Sequence, residues 1–539
     1  MNLLQKLLEL QKQRGFLPEA DLIELCEARK IPRAKVEELC SFYPHLRRTA
    51  PPAHRLTACR DLSCHMRGGD AALERLKARC HERGDVEFEA VSCLGRCDAA
   101  PACSLDDVPM SETRALQLLD APSIAAAEHP GQASATSNWR SDPYTKVEER
   151  YGVLRRALSD PKASNQLIPT LIESGLRGMG GAGFPTGRKW ELVAAESATP
   201  RYVICNADES EPGTFKDRVL LRDLPHLVIE GMLLAGLAID SHEAWVYIRH
   251  EYAPELESLR AAIAEARQLG ALGKDVFGSG FDFEIQIFVS PGGYILGEET
   301  AMLEALEGRR GEPRHKPPYP GVSGLHGQPT LINNVETFVH VPRAIESGRA
   351  DLKFFSVSGD VERPGVFEVA VGTSLRELID LAGGLRDGDE LLAFLPGGAS
   401  TGFLTAAQID IPMTWEALRE VGSALGSGAV IVVGAGRNLL EIASNLTAFF
   451  RNESCGKCVP CRIGTQKAVK LIEIGDAKAL ATLPALREVL EETSICGLGQ
   501  AALIPISSVL DNFPASISER SDSERSDSER SDSGGSEEP

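Results

Sequence analysis

Apolar residues recur at helical intervals along the first 48 positions. Leu3, Leu4, Leu7, Leu8 and Leu10 form one stripe, and residues 19–29 and 34–43 predict two shorter helices bounded by Pro18 and Pro32. The period then changes. HRLTAC and VEFEAVSC read as strands on either side of the helical stretch GGDAALERLKARCHERG, so residues 51–120 predict a small α/β unit. Residues 121–140 are rich in Ala, Ser and Pro and predict a linker. In the long block 141–345, YVICNADE and AWVYIRHEY predict strands, while PHLVIEGMLLAGLAI and PELESLRAAIAEARQLG predict helices. Residues 346–432 hold FFSVSGDV, GVFEVAVG and AVIVVG around one helix, SLRELIDLAGG, a β-grasp-like pattern. Residues 433–515 read as helices interrupted by a Cys-rich turn. Residues 516–539 repeat R-S-D-S-E, offer no apolar face to bury and predict a disordered acidic tail.

A chain of 539 residues, 43% hydrophobic, is too long for one core and fits two to four domains. Its net charge of −20 excludes the basic face that nucleic acid requires, although residues 519–539 alone hold eight Asp/Glu against three Arg. No run approaches the ~18 apolar residues of a membrane helix. The opening MNLLQKLLELQKQRGF mixes Gln, Glu, Lys and Arg into its apolar stripe and has no small-residue cleavage site, so a cytoplasmic location is expected. Thirteen Cys in a reducing compartment read as metal ligands, redox groups or buried apolar residues rather than disulfides.

Two cysteine sets stand out. Cys455, Cys458 and Cys461 form a C-x2-C-x2-C triplet, and Cys496 comes after 34 intervening residues. A tight triplet with one distant partner suits a [4Fe–4S] cube, whereas zinc sites usually pair two C-x2-C units. Cys59, Cys64, Cys93 and Cys97 form C-x4-C and C-x3-C, each pair after a strand-like segment, which suits a [2Fe–2S] rhomb. Cys26, Cys40, Cys80, Cys103 and Cys205 read as packing or structural residues.

GLRGMGGAGFPTGRKW contains G-x-G-x-x-G at Gly178, Gly180 and Gly183. A Rossmann fingerprint must follow a strand, but the preceding NQLIPTLIESGLRG has helical spacing, so that reading fails. A glycine-dense loop remains whose bare backbone can approach a phosphate or flat ring, with Lys189 close by. CNADESEPGTFKDR places four carboxylates beside Asn206 in a Gly/Pro turn, where Asn206, Asp208 and Glu209 can hydrogen-bond a flavin. GGYILGEET supplies Glu298 and Glu299, GEPRHKPPYPG supplies Lys316 and Tyr319, and PTLINNVET supplies Asn333 and Asn334.

These segments, with ESCGKCVPCRIGTQKA and ICGLGQAA, resemble the flavin-bearing, NADH-oxidising subunits of respiratory complex I. The first 120 or so residues resemble the thioredoxin-like [2Fe–2S] subunit that partners them. The two are fused here, as in the beta subunits of soluble NAD-dependent formate dehydrogenases and the diaphorase subunits of NAD-reducing hydrogenases. The resemblance implies a multidomain α/β protein. It would comprise an N-terminal helical unit (1–50), a thioredoxin-like [2Fe–2S] domain (51–120), a linker (121–140), a Rossmann-like but distinct FMN/NADH domain (141–345), a β-grasp (SLBB-like, ubiquitin-like) domain (346–432), a helical bundle with [4Fe–4S] (433–515) and the tail (516–539). It implies FMN contacts at Gly178, Gly180, Gly181, Lys189, Asn206, Asp208, Glu209, Tyr294, Gly297, Glu298, Asn333, Asn334 and Thr337. NADH contacts are implied at Phe184, Glu211, Glu299, Lys316 and Tyr319, the aromatics stacking on the adenine. Met179, Leu296 and Leu192 depart from the complex I pattern, which commonly has Arg, Cys and an aromatic there.

NADH surrenders two electrons together and iron–sulfur clusters accept one at a time, so a flavin must stand between them. The expected reaction is hydride exchange between nicotinamide and flavin, with no covalent protein intermediate. Glu211 and Glu299 are the candidate catalytic residues, orienting carboxamide and ribose and favouring NADH over NADPH by charge. No molybdopterin-binding or nickel-site feature is legible, so a partner alpha subunit with its own clusters must oxidise formate or hydrogen, in a hetero-oligomer. SVSGDVERPGVFEV, FLPGGAS and CRIGTQKA look most like the formate dehydrogenase branch, with a molybdenum or tungsten partner. The alternatives are a hydrogenase diaphorase subunit, a fused complex I subunit or, from other classes, a non-catalytic iron–sulfur relay scaffold or a cluster-bearing sensor.

Overall fold

The computed structural model describes residues 2–124 and 139–514. Most of the linker expected at 121–140, and all of the tail expected at 516–539, lie outside the described residues. The first three helices, Leu3–Arg14, Glu19–Arg29 and Arg33–Phe42, fall where the apolar spacing predicts them. Asn2 and Gln5 close a reciprocal capping box on the first. The unit docks on the Glu299–Leu306 helix of the flavin block, where Leu4, Leu7 and Leu22 share one core with Leu296, Met302 and Leu303. The Tyr43 hydroxyl donates to Arg309 O at 2.7 Å across that contact.

The second unit holds β1 (His54–Cys59), β2 (Val86–Val91), β3 (Ala102–Leu105) and β4 (Val108–Ser111), in the order β2-β1-β3-β4. β1 and β2 are parallel, joined through the Gly69–Arg83 helix, so both run out at the same end of the sheet. That places Cys59 beside the loop carrying Cys93. The hairpin β3–β4 has no counterpart in the sequence pattern. Its strands have four residues each, one containing Pro109, and its turn is Asp106–Asp107, both at positive φ.

The third unit is wholly parallel: β5 (Tyr202–Ala207), β6 (Glu243–Arg249), β7 (Glu284–Ser290) and β8 (Thr330–Asn334), ordered β7-β6-β5-β8. The chain adds β6 and β7 on one side of β5, then crosses to the other side for β8. That reversal opens a crevice at the carboxyl ends of β5 and β8, the place where open parallel sheets receive ligands. Register sets Cys205 opposite Asn333 and Asn206 opposite Asn334. The Pro225–Ile239 helix is apolar nearly all round, and its residues from Leu227 to Gly236 are buried beside this sheet.

The fourth unit is a mixed sheet of β9 (Leu352–Gly359), β10 (Gly365–Ala370), β11 (Leu391–Leu395), β12 (Leu404–Thr405) and β13 (Ala429–Gly434), ordered β10-β9-β13-β11-β12. β9 and β13 pair in parallel at its centre, and Leu375–Leu381 and the short Trp415–Glu420 are its helices. Helices Leu439–Asn452, Val459–Ile474, Leu483–Thr493 and Ile504–Asn512 build the last unit. Among the described residues no helix is long and apolar enough to cross a membrane. Cys80, Cys103 and Cys205 are buried and Cys26 and Cys40 half-buried, all as free thiols.

Candidate functional site

The glycine loop joins the Leu167–Glu173 and Thr186–Ala194 helices, so a helix and not a strand precedes it, as its spacing predicts. It folds back on itself through Gly178 N–H to Phe184 O at 2.8 Å. It is pinned over the crevice by Met179 N–H donating to Thr337 Oγ1 at 2.9 Å. Gly180 rests on Asn334: a Cβ there would come 3.1 Å from Asn334 Cβ. Gly181 has φ +136° and open space where a Cβ would stand, so bare backbone faces outward.

β5 and β8 carry the polar floor. Asn206 Nδ2 donates to Gly297 O at 2.8 Å, and its Oδ1 accepts from Asp208 N–H at 3.1 Å. Asp208 is buried, takes a hydrogen bond from the Ser210 hydroxyl on one oxygen and leaves the other, Oδ2, without a partner. Burial pushes its carboxyl up to about 6. Asn333 Oδ1 accepts from Trp190 Nε1 at 3.1 Å. Asn334 Oδ1 accepts from Lys216 Nζ at 3.2 Å while its Nδ2 donates to Asp217 Oδ2 at 2.5 Å. Lys189 Nζ donates to Ile332 O at 3.1 Å, and burial lowers its pKa.

The Glu209 carboxylate is turned inward, to the start of a helix. Its two carboxylate oxygens accept the Asp217 and Arg218 N–H groups at 2.9 and 3.1 Å, and the Tyr252 hydroxyl donates to Oε2 at 3.0 Å. Burial, with Asp217 next to it, pushes its carboxyl up to about 8. It caps the Lys216–Asp223 helix, because that helix start is buried and its free N–H groups need an acceptor.

A second acidic pair opens the Glu299–Leu306 helix. Glu298 is its N-cap, accepting from Thr300 and Ala301 N–H at 2.9 Å each. Lys316 Nζ bridges Glu298 and Glu299 at 2.8 Å to each. Tyr294 packs on Phe449 with ring centroids 5.0 Å apart, and its N–H donates to Glu453 Oε2 at 2.8 Å. On the rim, Phe184, Leu192 and Tyr319 are exposed by 45%, 47% and 60%, unusual for such apolar groups. The turn after Tyr319 reaches the Thr186–Ala194 helix, with Gly321 against Val193.

Both cysteine sets adjoin these loops, Arg249 joining Cys93 O to Glu209 O and Lys457 Nζ donating to Pro313 O at 2.6 Å. Cys59, Cys64, Cys93 and Cys97 are all buried, with the Cys93 and Cys97 sulfurs 3.6 Å apart. Gly95 and Ala102 N–H groups donate to Cys93 and Cys64 sulfurs at 3.3 Å each. Such N–H···S bonds are what iron–sulfur thiolates receive. Cys458 and Cys496 start the Val459–Ile474 and Gly497–Ala501 helices, so helix N-termini face the second set. Ser454 Oγ lies 3.3 Å from Cys461 Sγ, and burial pushes the Cys461 thiol up to about 12 and Cys496 up to about 11. Among the described residues no three His, Cys, Asp or Glu groups close around a single metal ion. The N–H groups that donate to Cys93 and Cys64 and the helix N-termini at Cys458 and Cys496 fit iron–sulfur thiolates. The bare glycine backbone and the orphaned Asp208 oxygen fit a flavin.

Several participants had no local signal. Arg249 donates to both Glu209 O and Cys93 O at 2.6 Å, tying the acidic loop to the first thiol set. Ser400 hydrogen-bonds Glu211 from the β-grasp unit. Trp415 fills the space where Gly183 lacks a side chain. Apart from Arg249 and Glu209, the two members of each pair come from different domains, too far apart in sequence for any motif to join them.

A glycine-backed flavin crevice with two iron–sulfur thiol sets adjoining it defines a class: proteins that exchange electrons between NAD(H) and iron–sulfur clusters through FMN. Four family patterns match in chain order. They are the thioredoxin-like [2Fe-2S] ferredoxin over 1–121, the Nuo51 FMN-binding domain over 171–343, the SLBB domain over 354–404 and the NADH-ubiquinone oxidoreductase-F iron-sulfur binding region over 441–520. The F 2 subunit of NADH-quinone oxidoreductase in Rhizobium meliloti (strain 1021) is 42% identical over 382 residues, 68% of this chain and 90% of its own. The F subunit of the same enzyme in Escherichia coli (strain K12) is also 42% identical, over 67% of this chain and 86% of its own. The chain belongs to the family of NADH-quinone oxidoreductase F subunits. Among solved structures, a chain of an NAD+-reducing [NiFe]-hydrogenase in the H2-reduced state superposes with TM-score 0.82 at 30% identity, over 95% of this chain and 91% of that one.

Proposed function

We propose that this chain is the diaphorase subunit of a soluble NAD-dependent formate dehydrogenase, receiving electrons from a partner that oxidises formate and delivering them to NAD+. The observation that carries the diaphorase part is the crevice itself. Asn206 at the end of β5 stands in register with Asn334 at the end of β8, with Asp208 just beyond β5, under a glycine backbone and beside two four-cysteine sets. Bound FMN exchanges a hydride with nicotinamide and single electrons with the clusters.

In this reading Gly178, Gly180, Gly181, Lys189, Asn206, Asp208, Tyr294, Gly297, Glu298, Asn333, Asn334 and Thr337 hold the flavin. Phe184 and Tyr319 flank the adenine on the exposed rim, and Lys316 sets the Glu298–Glu299 pair. Glu211 and Glu299 orient carboxamide and ribose and repel a 2′-phosphate. Cys455, Cys458, Cys461 and Cys496 carry the [4Fe–4S] cluster, and Cys59, Cys64, Cys93 and Cys97 the [2Fe–2S] cluster. The domain boundaries expected from the sequence belong to the same proposal.

The formate branch is supported by the SVSGDVERPGVFEV, FLPGGAS and CRIGTQKA segments. A second reading, a hydrogenase diaphorase subunit, is favoured by one observation. The hydrogenase chain spans 95% of this chain, fused N-terminal unit included, whereas the F subunits span 67–68%. The test is to purify the chain with its native partners and assay NAD+ reduction with formate and, separately, with hydrogen. Reduction by formate alone upholds the proposal; reduction by hydrogen alone replaces it with the second reading. NADH–ferricyanide activity without either would leave the diaphorase role and remove both partners.

A further inference from the structure

Glu211 sits in the flavin domain, but the groups that hold it come from the β-grasp domain. The Ser400 N–H donates to Glu211 Oε1 at 2.9 Å and the Ser400 hydroxyl to the same oxygen at 2.6 Å. Both bonds fall on Oε1, which leaves Oε2 as the oxygen open to a ligand. We infer that Ser400 is a positioning residue for the NAD(H) site, fixing the rotamer of Glu211 across the boundary between two domains.

The loop carrying Ser400 is built for close approach. It follows β11 as Leu395-Pro-Gly-Gly-Ala-Ser. Gly397 lies so near the 424–425 backbone that a Cβ would stand 2.5 Å from Ala424 O. Gly398, at φ +102°, leaves only 2.9 Å between its absent Cβ and the Glu211 carboxyl carbon. Any side chain there would push the carboxylate away from Ser400. Thr401 braces the turn, its N–H and hydroxyl donating to Gly398 O at 3.1 and 2.9 Å. Further along, Phe403 N–H donates to Ser508 Oγ at 2.8 Å and Asn512 Nδ2 to Phe403 O at 3.0 Å. Ser400 is thereby anchored in the β-grasp core and in the C-terminal bundle at once. From the flavin side, Thr214 Oγ1 meets Ser427 Oγ at 2.8 Å and Gly213 packs on Ile431, so the acidic loop is held against the same domain.

Burial raises the Glu211 carboxyl, and the two Ser400 bonds oppose that by favouring the charged form. Ser400 therefore supplies both orientation and charge to a group that must meet the carboxamide or ribose in one pose. Losing it would weaken NADH binding and the discrimination against NADPH, without touching the flavin or either cluster.

The inference rests on the reading that Glu211 faces NAD(H), so the test carries a variant for each. In the complete, cofactor-loaded complex, NADH–ferricyanide and NADPH–ferricyanide kinetics are measured for Ser400→Ala, Ser400→Thr and Glu211→Gln, with flavin content and thermal unfolding recorded. Ser400→Ala is expected to raise the NADH KM about tenfold with kcat changed by less than about twofold, to narrow the NADH/NADPH preference, and to keep its flavin. Ser400→Thr, which retains both donors, is expected to restore KM. An unchanged KM in Ser400→Ala beside a raised KM in Glu211→Gln overturns the positioning role and keeps Glu211 at the site. Unchanged KM and unchanged NADPH preference in Glu211→Gln overturn the underlying reading and this inference with it. Loss of flavin or of folding in Ser400→Ala, unrelieved in Ser400→Thr, makes Ser400 merely structural and also overturns it.

Discussion

Lys353 Nζ lies 3.3 Å from Glu336 Oε2, and neither side chain reaches solvent. Lys353 belongs to β9 of the SLBB domain and Glu336 to the Val335–Ser347 helix behind the flavin crevice. Lys216 reaches the same oxygen at 3.0 Å, and Phe354 N–H donates to the other at 2.8 Å. Burial alone would raise the Glu336 carboxyl, but Lys353 and Lys216 outweigh it and hold it well below its ordinary range. Lys353 also donates to Ser427 O at 3.1 Å and lies 3.8 Å from Met179 Sδ under the glycine loop. The Met at position 179, a departure from the expected Arg, thus sits directly on a buried lysine.

Removing that lysine while leaving the carboxylate is expected to be costly, since a buried ion pair broken on one side loses its compensation. Lys353→Met is expected to destabilise the chain by about 3 kcal/mol, the low end of the ~3–5 range because Lys216 remains. Denaturant unfolding measures the loss, and flavin released per chain on dialysis shows whether the loop above is loosened with it.

The contact between Gly180 and Asn334 gives a sharper test of the crevice. Gly180→Ala puts a methyl 3.1 Å from Asn334 Cβ and 3.6 Å from Cγ, so the Asn334 side chain must shift. Lys216 and Asp217 hold that amide from the far side and resist the shift. The variant is expected to fold, to retain iron and to lose FMN affinity by about tenfold, equivalent to ~1.4 kcal/mol. Flavin fluorescence after gel filtration checks it.

The two thiol sets are expected to fail independently. Cys97→Ser would remove about two irons per chain and the [2Fe–2S] signal, and Cys496→Ser about four irons and the [4Fe–4S] signal. Iron analysis with electron paramagnetic resonance of the dithionite-reduced protein separates them. Loss of iron from both sets in either variant would show that they fold as one unit.

Stability is expected to fall with rising pH through several buried, raised carboxyls, Asp208 and Glu209 among them, and Glu230 isolates one of these contributions. Glu230 is buried in the Pro225–Ile239 helix, accepting the Tyr144 hydroxyl at 2.7–2.8 Å and Leu154 N–H at 3.0 Å. Burial, only partly opposed by those bonds and by Arg156, raises it from 4.5 to about 7. The folded chain then holds a proton that the unfolded chain has released, so this contribution is complete below pH ~4.5 and lost by pH ~7. It amounts to about 3 kcal/mol. Glu230→Gln keeps an acceptor for Tyr144 and Leu154 and is expected to make this slope shallower by the Glu230 share alone. Unfolding free energies of both proteins at pH 5 and 8 check it.

Much of the local structure is legible in the chain. HRLTAC and PHLVIEGMLLAGLAI coincide with β1 and a helix to the residue, the second as a long apolar run bounded by Pro225 and Asp240. The helix before the glycine loop is legible from the spacing of Leu167, Leu171 and Ile172, and it excludes a Rossmann fingerprint. β7, β8 and the hairpin β3–β4 are not. EIQIFVS alternates in the middle of a polar loop, and TLINN is a five-residue buried strand ending in two amides that look like loop residues.

The site divides along the same line. Cysteine spacing and glycine density act at short range: ligands three residues apart meet whatever the rest of the chain does, and a missing side chain is visible in the letter itself. The sequence by itself therefore determined the Cys455–Cys461 triplet, the Cys59/Cys64 and Cys93/Cys97 pairs, the bare loop and the carboxylates and amides that accompany them, while the parallel pairing of β1 and β2 brings the two pairs together. Only the tertiary structure decided what each polar group faces. It turned Glu209 inward to cap a buried helix, set Asn206 against Asn334 by strand register, and brought Ser400 and Lys353 from another domain to Glu211 and Glu336. Those pairings join residues from 8 to 189 positions apart. They arise because buried polar groups must find partners wherever packing of the domains supplies them, and no local pattern records which partner that is.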